Sequence, residues 1–430
     1  MGNDQITPAP TSDLETDLPM ETITLVARTN QADGETHYGY PSHRADGNRY
    51  VSGRGALPIS EPLDITLAGK PVWLAAAPSG DIGFWVAALE DGRLQAFKVS
   101  AAGKVEKIEV TTERLSSGMP PLLQVTKGKL QVVVPSGSDF SPLTYPVALG
   151  PTEGDWAYVA IGGDVVIQKG GQTTRLEVDA LPDARLLIDE AGRILLLSGA
   201  TDRYDHGVLG DGIEASEITL IETLPTPRIS MSIPVPEPSV VEGIAPIWAD
   251  LSGNGVREII VTLSDRTRGA RLVVFNQEGK RIATGPDIGQ GYRWRNQMAV
   301  GAFGPQGSLE LVDVLTPHLK GTVEFFQLAG DQLELVAQLS GYTSHVIGSR
   351  NLDMALSGDF DGDNRYEVLI PDQSLSRLNA IRHTENRAQV AWTLPSGGTI
   401  STNLAAIQFP QGDIALGIGR EDNTLRIWGP

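Results

Sequence analysis

The sequence predicts an all-β protein: a single seven-bladed β-propeller with about four antiparallel strands per blade, its ring closed by an N-terminal strand. Three observations predict it. Apolar residues at helical spacing are scarce, whereas short β-branched and apolar runs bounded by Gly, Asp, Asn or Pro recur throughout. Seven apolar segments, each closing on a small polar turn, start at 72, 122, 184, 244, 298, 354 and 404, about 50–60 residues apart. The chain stops after Trp428 with three strands in its last unit, so a strand from elsewhere must complete the sheet.

Taken in order, residues 1–20 are rich in Pro, Thr and Asp and read as a disordered tether. Residues 21–62 read as an extension packing on the propeller, and 63–430 as the propeller itself. Two segments can supply the closing strand, "TITLVAR" (22–28) and "LDITLAG" (63–69), and the second is preferred because it directly precedes the first unit. Hairpins follow at 83–99, 269–284 and 414–428, with Gly, Asn and Asp supplying the turns. The second unit includes "WAYVAIGGDVVIQKGG" (156–171) as an outer hairpin. The third is lengthened by Pro-rich 225–243.

Composition narrows the function. A net charge of −19 repels nucleic-acid phosphates and is compatible with binding cations. With no cysteine, disulfides, thiolate metal sites and a thiol nucleophile are excluded. No apolar stretch approaches the roughly 18 residues of a membrane helix. Met1-Gly2 reads as a scar left where an export signal or lipid tether has been removed, the bland reading being an ordinary frayed terminus; the expected location is extracytoplasmic: periplasmic, cell-surface or secreted. The expected state is a monomer.

The sharpest motif is "GDFDGDNRYEVLIP" (358–371). Asp359, Asp361, Asp363 and Glu367 occupy positions one, three, five and nine of a tight loop, with the carbonyl of Arg365 also available. Hard oxygen donors carrying several negative charges suit Ca²⁺, and without an ion they repel one another. The bland reading is a solvated acidic turn. The loop is not an EF-hand, because the acid arrives too early and a strand follows. At these residues the chain resembles the FG-GAP/VCBS-type repeat of integrin-α-like β-propellers. That resemblance implies a Ca²⁺ loop joining the first two strands of a blade, and a calcium-stabilised propeller used for adhesion or for presenting a binding face. "WADLSGNGVREIIVTLSD" (248–265) is a degenerate copy with Asp250, Ser252, Asn254, Val256 (through its carbonyl) and Glu258 in the ligand places, and it should bind more weakly. "GAFGPQGSLELVDV" (301–314) has lost the acids, and no metal is expected there.

A second constellation lies on the junctions leading into units: "GYRWRNQMA" (291–299), "YTSHVIGSRNLDMA" (342–355) and "TISTNLAA" (399–406). With "DRYDHGVLGDG" (202–212) they gather His206, Arg293, Arg295, Asn296, His345, Arg350 and Asn351 on the face opposite the metal loops, as a funnel that attracts anions. Alternatively, the arginines pair with acids such as Asp353 and the asparagines cap turns. Asp205-His206 can form an acid–base pair, although adjacent residues on an extended chain point apart. No G-x-S-x-G elbow and no nucleotide-binding glycine motif is present. The expected function is a non-enzymatic binding module presenting this face to a protein or glycan, with no catalytic residues. The alternative is a propeller enzyme or cofactor-binding protein holding an anionic ligand at the axis between Arg295, Arg350, His206 and His345.

Overall fold

Hairpin chemistry sets the local structure. Gly92, at a φ of 84°, turns the chain between Ile82–Leu89 and Leu94–Ser100, where Leu89 N–H meets the Arg93 carbonyl at 2.9 Å. The computed structural model describes residues 36–429 apart from 111, 113, 136–138 and 386. The expected tether at 1–20 and the alternative closing strand at 22–28 lie outside the described residues. Among the described residues there is no α-helix, only a short 3₁₀ turn at Pro305–Gly307.

The strands form antiparallel meanders that follow one another along the chain. The first is Pro71–Ser79, Ile82–Leu89, Leu94–Ser100 and Val105–Ile108. In the second, Leu122–Thr126 and Lys129–Val133 are joined by the N-terminal strand Thr36–Gly39. The third runs Val147–Ala148, Trp156–Val159, Asp164–Lys169 and Gln172–Glu177. The fourth opens at Leu187–Ile188, the fifth at Ile247–Ala249, the sixth at Arg295–Gly301, the seventh at Leu356–Asp359 and the eighth at Ala405–Gln408. Pro62–Thr66 completes the eighth by pairing with Thr424–Trp428, from Pro62 against Trp428 to Thr66 against Thr424.

The meanders number eight, whereas the apolar starts suggest seven. The stretch at 156–171 is the middle of its own sheet and not the outer hairpin of the second unit. Its first strand is only Val147–Ala148, too short to stand out as a start.

Apolar side chains project from both faces of these sheets and fuse between neighbours. Leu187, Leu195 and Leu220 of the fourth meet Trp248, Ile259 and Val273 of the fifth. Leu74, Trp85 and Phe97 of the first pack with Ile407, Leu425 and Ile427 of the eighth, so the last sheet lies against the first.

Residues 36–57 run across the inner strands. Gly39 abuts the backbone of Ala76, where a β-carbon would lie 2.3 Å from the carbonyl oxygen. Ala45 and Asp46 carbonyls accept N–H groups of Ile188 and Trp248, and the Asn48 amide both gives to and takes from Val300. Tyr50–Arg54 pairs in parallel with Leu356–Asp359, and Arg54 N–H reaches the Gly412 carbonyl at 2.8 Å. A buried ion triad fastens this segment. Asp353 lies between Arg49 (Nε–Oδ1 2.7 Å) and Arg185 (NH2–Oδ2 2.6 Å), with Arg185 over the Tyr145 ring. Burial pushes the Asp353 carboxyl up, but the two guanidiniums together hold it below its usual range.

Candidate functional site

In an antiparallel meander, the chain's arrival at the first strand and the turn between the second and third strands fall at the same end. At that end of the fourth to seventh meanders, four loops converge. They are 202–213, the Tyr292–Trp294 approach to the sixth, its Thr316–Leu319 turn, and the 341–355 approach to the seventh. Val208 and Leu209 pin the first loop against Trp294, Ile244 and Leu352. Gly348 N–H binds the Val208 carbonyl at 3.0 Å. These loops enclose a pocket of about 170 Å³ lined chiefly by His206, Tyr292, Arg293, Trp294, His318 and Ile347.

His206 Nδ1 lies 2.5 Å from Oε1 of Glu242, which is fully buried. The other Glu242 oxygen accepts the Ser264 hydroxyl. Burial pushes the Glu242 carboxyl up, while the His206 contact pulls it down. A second buried acid, Glu214, is pushed well up, first by burial and then by the charge of Glu242. The His206 ring stacks on Tyr292 at 5.3 Å, and Tyr292 donates its hydroxyl to Asp205 at 2.8 Å. Beside them Tyr204 is completely buried, and its hydroxyl has no partner among the described residues. A buried unpaired hydroxyl costs about 1–3 kcal/mol.

On the other wall, His345 Nε2 lies 2.5 Å from the Ser349 carbonyl and His345 Nδ1 lies 2.9 Å from His318 Nε2. Trp294 stacks over His318 at 6.4 Å. Burial lowers His345 to about 3 and His318 to about 4, so both are neutral near pH 7. Their ordinary value is 6.5. Between pH 6.5 and 4 the unfolded chain takes up protons at these two rings that the folded chain does not. Stability is thus fully present above pH 6.5 and falls as pH drops. Urea unfolding in steps from pH 7 to pH 4.5 should show a decline that is blunted in the H318Q/H345Q double variant.

The sequence-predicted residues divide. His206 and Arg293 line the pocket, and His345 stands behind His318. Arg293 makes no ion pair among the described residues. The other two arginines are already neutralised. Arg295 is buried against Asp313 (2.9 Å) and Glu324 (2.5 Å), and Arg350 binds Asp183 (2.8 Å) and Asp211. Burial raises Asp313 to about 7 even beside Arg295. Asn296 donates to Ser344, and Asn351 accepts the Asp353 N–H. The anion clamp of Arg295 and Arg350 is therefore not formed. Segment 36–57 crosses the inner strands, and the pocket is built by the loops instead. Asp205 is not the partner of His206, because it turns to Tyr292 and Arg266. Glu242, Trp294 and His318 were missed as site residues. The aromatic pair in "GYRWRNQ" and the histidine of the Pro-containing turn "TPHLK" were the available signals.

At the opposite strand ends, oxygens of Asp359, Asp361 and Asp363 lie within 4.8 Å of one another and can hold a divalent cation. Asp359 accepts N–H groups of Gly362 (2.8 Å) and Asn364 (2.9 Å), and Glu367 accepts that of Phe360 (2.9 Å). Arg365 is exposed, with its N–H on Asp363. The Arg382 guanidinium lies among these acids, 2.7 Å from Asp361 and 2.9 Å from Asp363, and also touches Glu367. In the degenerate copy, Asp250 accepts the N–H groups of Gly253 and Gly255, and Glu258 those of Leu251 and Ser252. Asn254 accepts the Val256 N–H, and the Ser252 hydroxyl donates to Glu258. In the third loop Glu310 keeps the ninth place and pairs with His383 at 2.8 Å. A wider cleft of about 820 Å³ reaches Asp361 from Arg54–Ser60 and Ser100–Gly103, but no aromatic or imidazole ring lines it.

No family model matches the chain. No curated protein matches it. Among solved structures it is similar to a "Europium-containing methanol dehydrogenase", with 8% identity, 90% of each chain covered and a TM-score of 0.53. The all-β fold loosely resembles that of a β-propeller-type protein. The expectation of a non-enzymatic module presenting a face to a protein or glycan is overturned: the fold is shared with a dehydrogenase, and the chain buries clusters of Arg, His and acidic residues. A catalytic or cofactor-binding site, the alternative reading, fits these findings better.

Proposed function

We propose that this chain is an enzyme or cofactor-binding protein of propeller type, and that its working site is the pocket between His206 and His318. The observation that carries the proposal is the buried Glu242 carboxylate 2.5 Å from Nδ1 of His206, a residue that lines a concave, aromatic-walled pocket. Glu242 holds the Nδ1 proton and orients the ring, so Nε2 is the base. A proton leaving a bound ligand passes to Nε2, and the resulting imidazolium is stabilised by Glu242. The europium of the similar dehydrogenase belongs to that protein. This pocket offers imidazole nitrogens and ring faces in place of the converging carboxylates a hard cation needs. The direct test fills the pocket. Ile347 is 68% exposed at its rim, so Ile347→Trp should leave the melting temperature unchanged and abolish fragment binding seen by ligand-observed NMR. Undiminished binding would reject the site.

The architecture is read as eight blades about one axis, closed by Pro62–Thr66 and stoppered by residues 36–57, with 63–430 as the propeller proper. The blade-like acidic loops support an affinity with FG-GAP/VCBS-type repeats. At 359–367 the proposed ion is Ca²⁺, held by Asp359, Asp361, Asp363, Glu367 and the Arg365 carbonyl, with Arg382 swinging out. The weaker set is Asp250, Ser252, Asn254, Val256 and Glu258. Chelation should then lower the melting temperature of the wild type and leave that of Asp361→Ala unmoved. Identical melts of the wild type with and without chelator would reject the ion.

A further inference from the structure

We infer that His318 sets the ligand specificity of the pocket as a fixed hydrogen-bond acceptor, so that the site takes a small neutral ligand with an O–H or N–H donor and refuses carboxylates. The inference deepens the proposed function and rests on the pocket being a ligand site.

The tautomers follow from atoms that have no choice. The Ser349 carbonyl oxygen only accepts, so His345 carries its proton on Nε2, 2.5 Å away. His345 Nδ1 is then a bare lone pair, and His318 Nε2 at 2.9 Å must donate to it. His318 in turn is left with an unprotonated Nδ1 that has no partner among the described residues. The opposite direction, His345 donating to His318, requires a doubly protonated His345. That ring is 1% exposed, and burial opposes the charge. A backbone carbonyl thus dictates, through two rings, what the pocket wall offers.

Across the pocket, His206 Nε2 is likewise an acceptor while Glu242 holds the Nδ1 proton. Two lone pairs facing one small cavity repel an anion and leave a donor-free ligand unpaired. Among the described residues, the exposed Arg293 at the rim is the one lining cation. It can draw in an anion but does not remove the lone pairs within. A cavity of about 170 Å³ resembles the size that admits one six-membered ring. The ring stacks of His206 on Tyr292 and Trp294 on His318 give it flat walls. Phenol, anisole and benzoate are therefore matched probes: one donor, none, and an anion.

Phenol should bind the wild-type protein at least about tenfold more tightly than anisole or benzoate, the loss expected for one unmade hydrogen bond. His318→Phe should narrow the difference between phenol and anisole, and His206→Phe/His318→Phe together should erase it. Nitrogen-15 NMR of the unliganded wild type should show both His318 and His345 as Nε2–H tautomers from pH 5.5 to 8, which needs no variant to fold. Anisole or benzoate binding as tightly as phenol, or an Nδ1–H signal from His318, overturns the specificity while leaving the site standing. No probe perturbing His206 or His318 overturns both.

Discussion

Asp353→Ala should destabilise the protein by about 3–5 kcal/mol, the cost of removing one partner from a buried ion group. The carboxylate is 2% exposed and is the shared acceptor of Arg49 and Arg185. Without it two guanidiniums face each other in the interior with only backbone carbonyls to receive them, Gln297 for Arg49 and Arg350 for Arg185. Arg49 belongs to the N-terminal segment, Arg185 leads into the fourth sheet and Asp353 into the seventh, so the triad ties the segment to opposite stretches of the chain. Guanidinium chloride unfolding of the variant should show a lower midpoint. Asp353→Asn, which keeps one acceptor oxygen, should lose less. A variant within about 0.5 kcal/mol of wild type would mean that the segment is held by its backbone hydrogen bonds alone.

His206→Gln and Glu242→Gln should each lower a proton-transfer turnover by about 10²–10⁴-fold, the range for loss of a positioned base or of the group that fixes its tautomer. The two differ in character. His206→Gln removes Nε2, the atom facing the ligand. Glu242→Gln leaves the ring in place but removes its charge partner and lets the amide disturb the tautomer. The Ser264 hydroxyl retains an oxygen acceptor in Glu242→Gln, which limits the structural damage. Equal activity in both variants and the wild type would place the chemistry elsewhere.

The strand rhythm was legible because each hairpin carries its own turn chemistry and a period-two apolar pattern. The pairing of the segment at 63–69 with the chain's last strand was legible for a simple reason: a three-stranded last unit leaves an edge, and that segment directly precedes the first unit. The count of meanders came out one short where Val147–Ala148 is a two-residue strand with no periodicity to detect. The acidic loop was legible because its residues are consecutive. The pocket was only half legible. His206, Arg293 and His345 stood out by type, but nothing local joins His206 to Glu242, 36 residues on, or His318 to His345 across a hairpin. The arginine funnel failed for the same reason: Arg295 and Arg350 meet their acids through strand register and loop crossing, with Asp183 lying 167 residues from Arg350.

Crystals soaked with a fragment set of single-ring alcohols, amines and acids test the central claim most directly. The expected density lies between the His206–Tyr292 and Trp294–His318 ring pairs, within hydrogen-bond reach of His206 Nε2. Fragments gathering in the wider cleft beside Asp361 or on the outer sheet faces, with the imidazole pocket unvisited, would contradict it.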